Sequence, residues 1–376
     1  MAQKDCQRHL RPLPNPSPGV SQKPSSSKSP AAWEELAPEE QFSVVCRLFC
    51  EGNSPTAIAR RIRKDYAVST FTRQSAYPML LKAAQSGCLR FVPKASFTLS
   101  SKLRAQYGWL ADVKVVHTNQ FEDVAYQGAE TLITLLQHGN REAKRKVHIG
   151  FAGGHAVRRL VQIFTQLLDE SDAELPETLV LHALVAGFEV LDPTTDPNTF
   201  FTLFQNRTSV NTKFEFVGLH TPPVVQASEY DALRNSEGIR ESYEYAKDLD
   251  IIVTSAADWS DEHSTFRKYM EKSVGCSEML VKAGCIGDML WLPIGSRGPL
   301  EVPTRIRSMT LIELRELPLF IKRGKYVLLV IGPCAMCQRT KSRILSAILA
   351  SRQRLISHLV VDTRSAKEAL RLAVSP

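Results

Sequence analysis

The stretch Val147-His148-Ile149-Gly150-Phe151-Ala152-Gly153-Gly154-His155-Ala156-Val157 decides how the chain reads. Its first five residues are a short apolar run of strand type, and from Val157 to Leu168 apolar residues recur at helical spacing. Strand, glycine turn and amphipathic helix together make the repeating unit of a parallel sheet covered on both faces. Glycines at such a turn let backbone amides approach a ligand, and the N-terminus of the next helix favours an anion such as phosphate. The same residues also suffice for a plain strand-to-helix turn. The G-x-G-x-x-G spacing of a dinucleotide-binding loop does not occur here.

Outward from this unit the pattern repeats. Val113–Val116, Leu179–Ala186, Ile251–Val253, Val327–Ile331 and Leu359–Val361 are further apolar runs, and Lys341–Ala350 is another amphipathic helix. Apolar strands alternating with helices predict an α/β domain over residues 100–376, built on a mostly parallel, doubly covered sheet. No internal repeat is visible.

Residues 33–95 read differently. Pro38 with Glu39 and Glu40 suits a first helical turn, and Phe42, Val45, Cys46 and Phe49 follow at helical spacing up to Gly52. Ser54-Pro55 is a cap and first-turn pair that opens a second helix through Ile62. A third helix packs Ala76, Met79, Leu80 and Ala83 inward and ends at Ser86-Gly87. Cys88-Leu89-Arg90-Phe91-Val92 is expected to be a short strand that closes the head. Three helices in under sixty residues fit a small all-α helix-turn-helix domain of winged type. Residues 1–32 carry Pro12, Pro14, Pro16, Pro18, Pro24 and Pro30 with a serine run, and read as a disordered tail.

Charge supports a head that binds a polyanion. Residues 52–94 hold Arg60, Arg61, Arg63, Lys64, Arg73, Lys82, Arg90 and Lys94 against Asp65 alone, a net +7 of the chain's +8. A solvated basic helix face is the plainer account of the same charge. Eight scattered cysteines in 376 residues do not make a disulfide scaffold, so a reduced cytoplasmic protein is expected, associated with the nucleoid when bound to DNA. No apolar run is long enough to span a membrane, and the basic start without an apolar core behind it argues against a secretory signal.

Leu48-Phe49-Cys50-Glu51-Gly52, Thr56-Ala57-Ile58-Ala59 and Leu80-Leu81-Lys82-Ala83-Ala84-Gln85-Ser86-Gly87 together resemble the head of SorC-type sugar-binding transcriptional regulators. The resemblance makes the stretch before Leu80-Leu81 a recognition helix. Thr72, Arg73, Gln74, Ser75 and Tyr77 become DNA-contact candidates, with Ser54 and Thr56 at the start of the second helix. Arg and Gln suit guanine and adenine edges respectively. Pro78 leaves two starts open: a helix already under way at Arg73, with an interior proline costing about 3 kcal/mol, or one beginning near Ser75, with Arg73 and Gln74 on the leading loop.

The larger domain resembles the effector domain of the same family, akin to sugar-phosphate isomerase folds, through the order of its pieces: 150–154, 251–258, 284–288, 321–345 and 359–363. The resemblance implies a ligand site at the strand ends. Gly153, Gly154 and His155 would face a phosphate. Ser255, Ala256 and Asp258 would line a sugar, with Gly287 and Asp288 opposite, and Arg339 or Lys341 would complete an anion site. The function so implied is a regulator of double-stranded operator DNA, controlled by a small carbohydrate or sugar phosphate and assembled as a homodimer or homotetramer. It implies no enzymatic activity and no cofactor. An enzyme on the same scaffold, either a sugar-phosphate isomerase or a nicotinamide-dependent oxidoreductase, and a regulator with a degenerate cleft are the competing readings.

Cys334-x-x-Cys337 lacks a second nearby pair of ligands, so a buried structural thiol pair is preferred to a metal or redox site. Cys46 and Cys50, one helical turn apart, are expected in the core, as are Trp259 and Trp291. Asp258-Trp259-Ser260-Asp261-Glu262 is acidic and could hold a cation, with a solvated loop the simpler expectation.

Overall fold

The structure is a computed structural model that describes residues 32–89, 91–141, 145–170, 175–187, 193–205 and 211–372. The tail expected over residues 1–32 lies, up to residue 31, outside the described residues. The chain forms two compact units, dividing in sequence between Phe91 and Val92.

The first unit holds a 3-10 turn, Trp33–Glu35, and three helices, α1 (Pro38–Cys50), α2 (Pro55–Asp65) and α3 (Arg73–Gln85). Each start is capped locally. Glu40 accepts from the Ala37 N–H at 2.9 Å, and Ser54 Oγ accepts from the Ala57 N–H at 3.3 Å. At α3 the capping is reciprocal: Thr72 Oγ1 accepts from the Ser75 N–H at 3.3 Å while Ser75 Oγ accepts from the Thr72 N–H at 3.1 Å. This box fixes the start at Arg73 rather than near Ser75. Pro78 therefore sits inside the helix, and Arg73 and Gln74 belong to its first turn. The core gathers Val45, Leu48, Ile58, Ala59, Ile62 and Ala76 around Trp33, whose ring meets Tyr66 and Phe71 edge-on at 5.2 and 5.3 Å.

Two expectations for this unit are corrected. Cys46 is buried but Cys50 is exposed, because the apolar stripe of α1 turns away before its last residue. The described residues of Cys88–Val92 form no strand. A lone strand leaves its backbone groups unpaired, and this unit offers no second strand among its described residues. Gly87 instead takes φ +81°, and the Leu89 N–H donates to the Ala83 carbonyl at 3.0 Å.

The second unit contains, in chain order, β1 (Asp112–Val116), β2 (Lys146–Phe151), β3 (Thr178–Ala183), β4 (Lys213–Val217), β5 (Val224–Gln226), β6 (Ile251–Thr254) and β7 (Ala256–Asp258). They are followed by β8 (Cys285–Met289), β9 (Leu292–Gly295), β10 (Gly298–Pro299), β11 (Ile306–Ser308), β12 (Tyr326–Ile331) and β13 (His358–Asp362). Seven strands form a wholly parallel sheet in the order β1-β13-β12-β6-β2-β3-β4. β6 and β13 are buried at every residue, as strands covered on both faces must be. Helices α4 (Phe97–Gln106), α5 (Phe121–Arg141) and α6 (His155–Glu170) follow the same logic: α5 packs on α6, β12 and β13, while α4 packs on β1. The α/β architecture expected over this region is what the structure shows.

Strand order reverses between β2 and β6. From β2 the chain runs outward to β3 and β4, while β6, β12 and β13 lie on its other side. Open α/β sheets bind ligands at this point, beyond the C-terminal ends of the strands. A second, antiparallel sheet, β10-β9-β8-β7, begins one residue after β6 ends, with Ser255 between β6 and β7. β8 and β9 are joined by Leu290 and Trp291, both left-handed at φ +56° and +61°. Such two-residue turns normally carry glycine or asparagine. Here two buried side chains hold the strained conformation in place.

Candidate functional site

A cleft of about 330 Å³ opens at the strand-order reversal. Its floor is the loop after β2, where Gly153 is tightly packed: a Cβ would lie 3.1 Å from the Thr195 carbonyl and 3.2 Å from the Trp291 ring. Gly154, at φ +106°, then turns the chain into α6, so the first turn of that helix starts on the cleft. The loop after β12 (Gly332 to Met336) forms one wall, and the helix Thr265–Lys272 with the β8–β9 turn forms another.

Of the residues singled out from the sequence, Gly153, Gly154, His155, Ser255, Ala256, Asp288 and Lys341 line the cleft together. Asp258, Gly287 and Arg339 do not. The Asp258 carboxylate is turned into its own loop, accepting from the Ser260 N–H at 3.0 Å and the Ser260 hydroxyl at 2.8 Å. Gly287 is a sheet position facing β7, where a Cβ would fall 2.1 Å from the Ala257 carbonyl. Arg339 reaches out to the Ser260 carbonyl at 3.5 Å. The expected solvated loop 258–262 is also corrected. Asp258 and Asp261 are both buried, because backbone amides of the turn take up their oxygens, the His263 N–H reaching Asp261 at 2.9 Å.

Three features give the cleft its chemistry. Lys341 and Lys268 bring positive charge beside the glycine loop. Ser255 Oγ is buried and has no hydrogen-bond partner among the described residues, although its position at the end of β6 faces the cleft. Such a hydroxyl calls for a partner, which a ligand can supply. Asp288 is the third: burial pushes its carboxyl up to about 7, against the opposing pull of Lys341, the Trp291 backbone and Ser264. Near neutral pH it can therefore be a neutral hydrogen-bond donor as readily as an anion.

Sequence reasoning passed over Lys268, Ser264 and Leu290, and expected Trp291 only in the core. A usable signal existed for two of them, since Ser264 caps the helix Thr265–Lys272 through the Arg267 N–H at 3.2 Å and Lys268 stands one turn further on. Trp291 is buried as expected, but it is buried as a wall of the cleft. Nothing in the sequence marks Leu290-Trp291 as a tight turn.

In the first unit α3 presents Arg73, Gln74, Tyr77, Pro78, Leu81 and Lys82 as one exposed face. The Arg73 guanidinium donates to the Tyr77 hydroxyl at 3.3 Å and lies 5.7 Å from its ring centre, which holds it along the helix. Thr72 and Ser75 are engaged in the cap described above, and Ser54 caps α2. Thr56 is exposed in the first turn of α2. Arg60, Arg61, Arg63 and Lys64 are exposed along α2, and Arg61 pairs with Asp65 at 3.0 Å.

No protein-family profile matches the chain, and no curated protein matches it. Solved structures do. The full-length sorbitol operon regulator SorC from Klebsiella pneumoniae aligns over 89% of this chain and 100% of its own, at 17% identity and a TM-score of 0.58. A probable sor operon regulator from Shigella flexneri aligns over 73% and 98%, at 18% identity and 0.57. A DeoR family transcriptional regulator from Listeria monocytogenes aligns over 72% and 98%, at 20% identity and 0.54. At these identities the likeness is one of fold: a helical head followed by this α/β domain is an architecture shared with solved transcriptional regulators.

Proposed function

We propose that the chain is a transcriptional regulator whose head binds double-stranded operator DNA and whose α/β unit senses a sugar phosphate. The observation that carries the sensor half is the cleft at the strand-order reversal. It combines a glycine turn, a helix N-terminus and two lysines with the unpartnered hydroxyl of Ser255. Phosphate suits the first three, and a sugar hydroxyl suits Ser255 and the protonated Asp288. The head half rests on the exposed face of α3 together with the concentration of positive charge over residues 52–94. The regulators of like fold are named for sugar operons, which agrees with this reading. The effector acts by binding one arrangement of the protein better than another, which shifts DNA affinity by the same coupling energy in both directions. Homo-oligomerisation of the α/β unit would set the spacing between heads.

The test is binding to the DNA upstream of the protein's own operon, with and without a panel of sugar phosphates, at fixed salt. The proposal expects sequence-specific binding that at least one sugar phosphate shifts. Absence of specific binding would overturn the head assignment, and indifference to every ligand would overturn the sensor.

A further inference from the structure

The C-x-x-C segment after β12 is not simply a pair of buried thiols. Cys334 is buried and Cys337 partly so, and the fold brings Asp261 to them from the loop after β7. The two sulfurs and one Asp261 oxygen all lie within 4.8 Å of one another, with Cys337 Sγ 3.9 Å from Asp261 Oδ1. The turn is built to hold this arrangement. Gln338 takes φ +56°, its N–H donates to the Cys334 carbonyl at 2.9 Å, and the Cys334 N–H donates to the Arg339 carbonyl at 2.9 Å.

We infer that Asp261, Cys334 and Cys337 form a site for a zinc-class divalent ion whose fourth position opens on the cleft. Tetrahedral zinc, with bonds of about 2.3 Å to sulfur and 2.0 Å to oxygen, sets its donors ~3.5–3.8 Å apart. The observed separations approach this spacing, so a small side-chain adjustment closes the site. Two thiolates and one carboxylate favour a borderline-soft ion over magnesium or calcium, which prefer oxygen donors alone. Three protein ligands leave one position for water or for an oxygen of a bound molecule. Asp261 and Cys334 both line the cleft, so that position faces the ligand space. The site stands on its own geometry, whether or not the cleft takes a sugar phosphate.

The full chain, reduced and freed of metal, is titrated with cobalt(II) and followed by absorption. The expected result is one equivalent per chain, with a sulfur-to-cobalt charge-transfer band and intense tetrahedral d–d bands. Cys334→Ser and Cys337→Ser should each weaken the charge-transfer band, and the double variant should abolish it. Asp261→Asn should retain it while weakening affinity at least as much as the ~10-fold typical of losing an outer-shell partner. X-ray absorption of the zinc-loaded wild type should count two sulfur neighbours, which keeps the test independent of whether the serine variants fold. Azide added to the cobalt protein should alter the d–d bands through the open position. Failure of the reduced protein to bind stoichiometric metal, a sulfur count other than two, or affinity unchanged in Asp261→Asn would overturn the site. A cobalt spectrum indifferent to azide would overturn its open position.

Discussion

Asp288→Asn isolates the most strongly perturbed group in the cleft. The native carboxyl titrates at about 7, whereas an unburied aspartate titrates near 3.8. Below about pH 4 both the native and the unfolded chain hold the proton, and the group contributes no difference. Between about pH 4 and 7 the unfolded chain loses its proton while the native one keeps it. Stability therefore falls as pH rises, by about 1.4 kcal/mol per pH unit and by about 4 kcal/mol in all, and is level above 7. Asparagine keeps the shape but cannot ionise, so the variant lacks this slope. The assay is hydrogen exchange of β6 and β12 peptides across urea concentrations at several pH values, which reads the α/β unit by itself. Wild type should fall behind the variant progressively between pH 4 and 7. Parallel pH curves, or a wild type that gains on the variant as pH rises, would refute the reasoning, since the latter requires an ionised carboxylate stabilised by Lys341. Ligand binding should echo the titration: with Asp288 neutral the charge of Lys341 is unopposed, so sugar-phosphate affinity should decline from pH 6 to 8 more steeply in wild type than in Asp288→Asn.

Other outcomes follow from the same structure. Arg73→Ala should weaken specific operator binding by about 1–3 kcal/mol and relax the sequence preference at one position, whereas Lys82→Ala should weaken all sequences alike and lower the salt slope by about 1; gel-shift titrations over a salt series separate the two. Gly153→Ala places a methyl against the Thr195 carbonyl and the Trp291 ring, and should reduce sugar-phosphate affinity in calorimetry while costing about 1–3 kcal/mol of stability. Pro78→Ala restores the amide that the Gln74 carbonyl lacks in α3, and should slow hydrogen exchange over residues 73–85, corresponding to a gain of up to ~3 kcal/mol.

Much of the fold was legible because its signals are local. The runs at Val147–Phe151, Val327–Ile331 and Leu359–Val361 became strands inside the sheet, since a largely apolar segment of three to five residues between helices is too short for a buried helix. The start of α1 at Pro38 and the cap at Ser54 were equally plain. The start of α3 was not, because proline weighs against a helix begun at Arg73; the Thr72–Ser75 box offsets about 1 kcal/mol of that cost, and the buried face through Ala76 and Ala83 adds to the offset. In the cleft, the residues found were those on glycine turns and strand ends, whose position follows from topology alone. Those missed depend on contacts between distant segments. Asp261 approaches Cys334 across more than seventy residues, and the left-handed turn at Leu290-Trp291 is held by packing rather than by residue type.

The single residue between β6 and β7 has a mechanical consequence. Ser255 leaves no slack between the two sheets, and the helix Ser342–Ala350 packs against all four strands of the smaller one. The small sheet is therefore clamped to the parallel core rather than hinged on it. A molecule gripped by Ser255 sits at the joint itself, so any strain it imposes there is shared by both sheets at once.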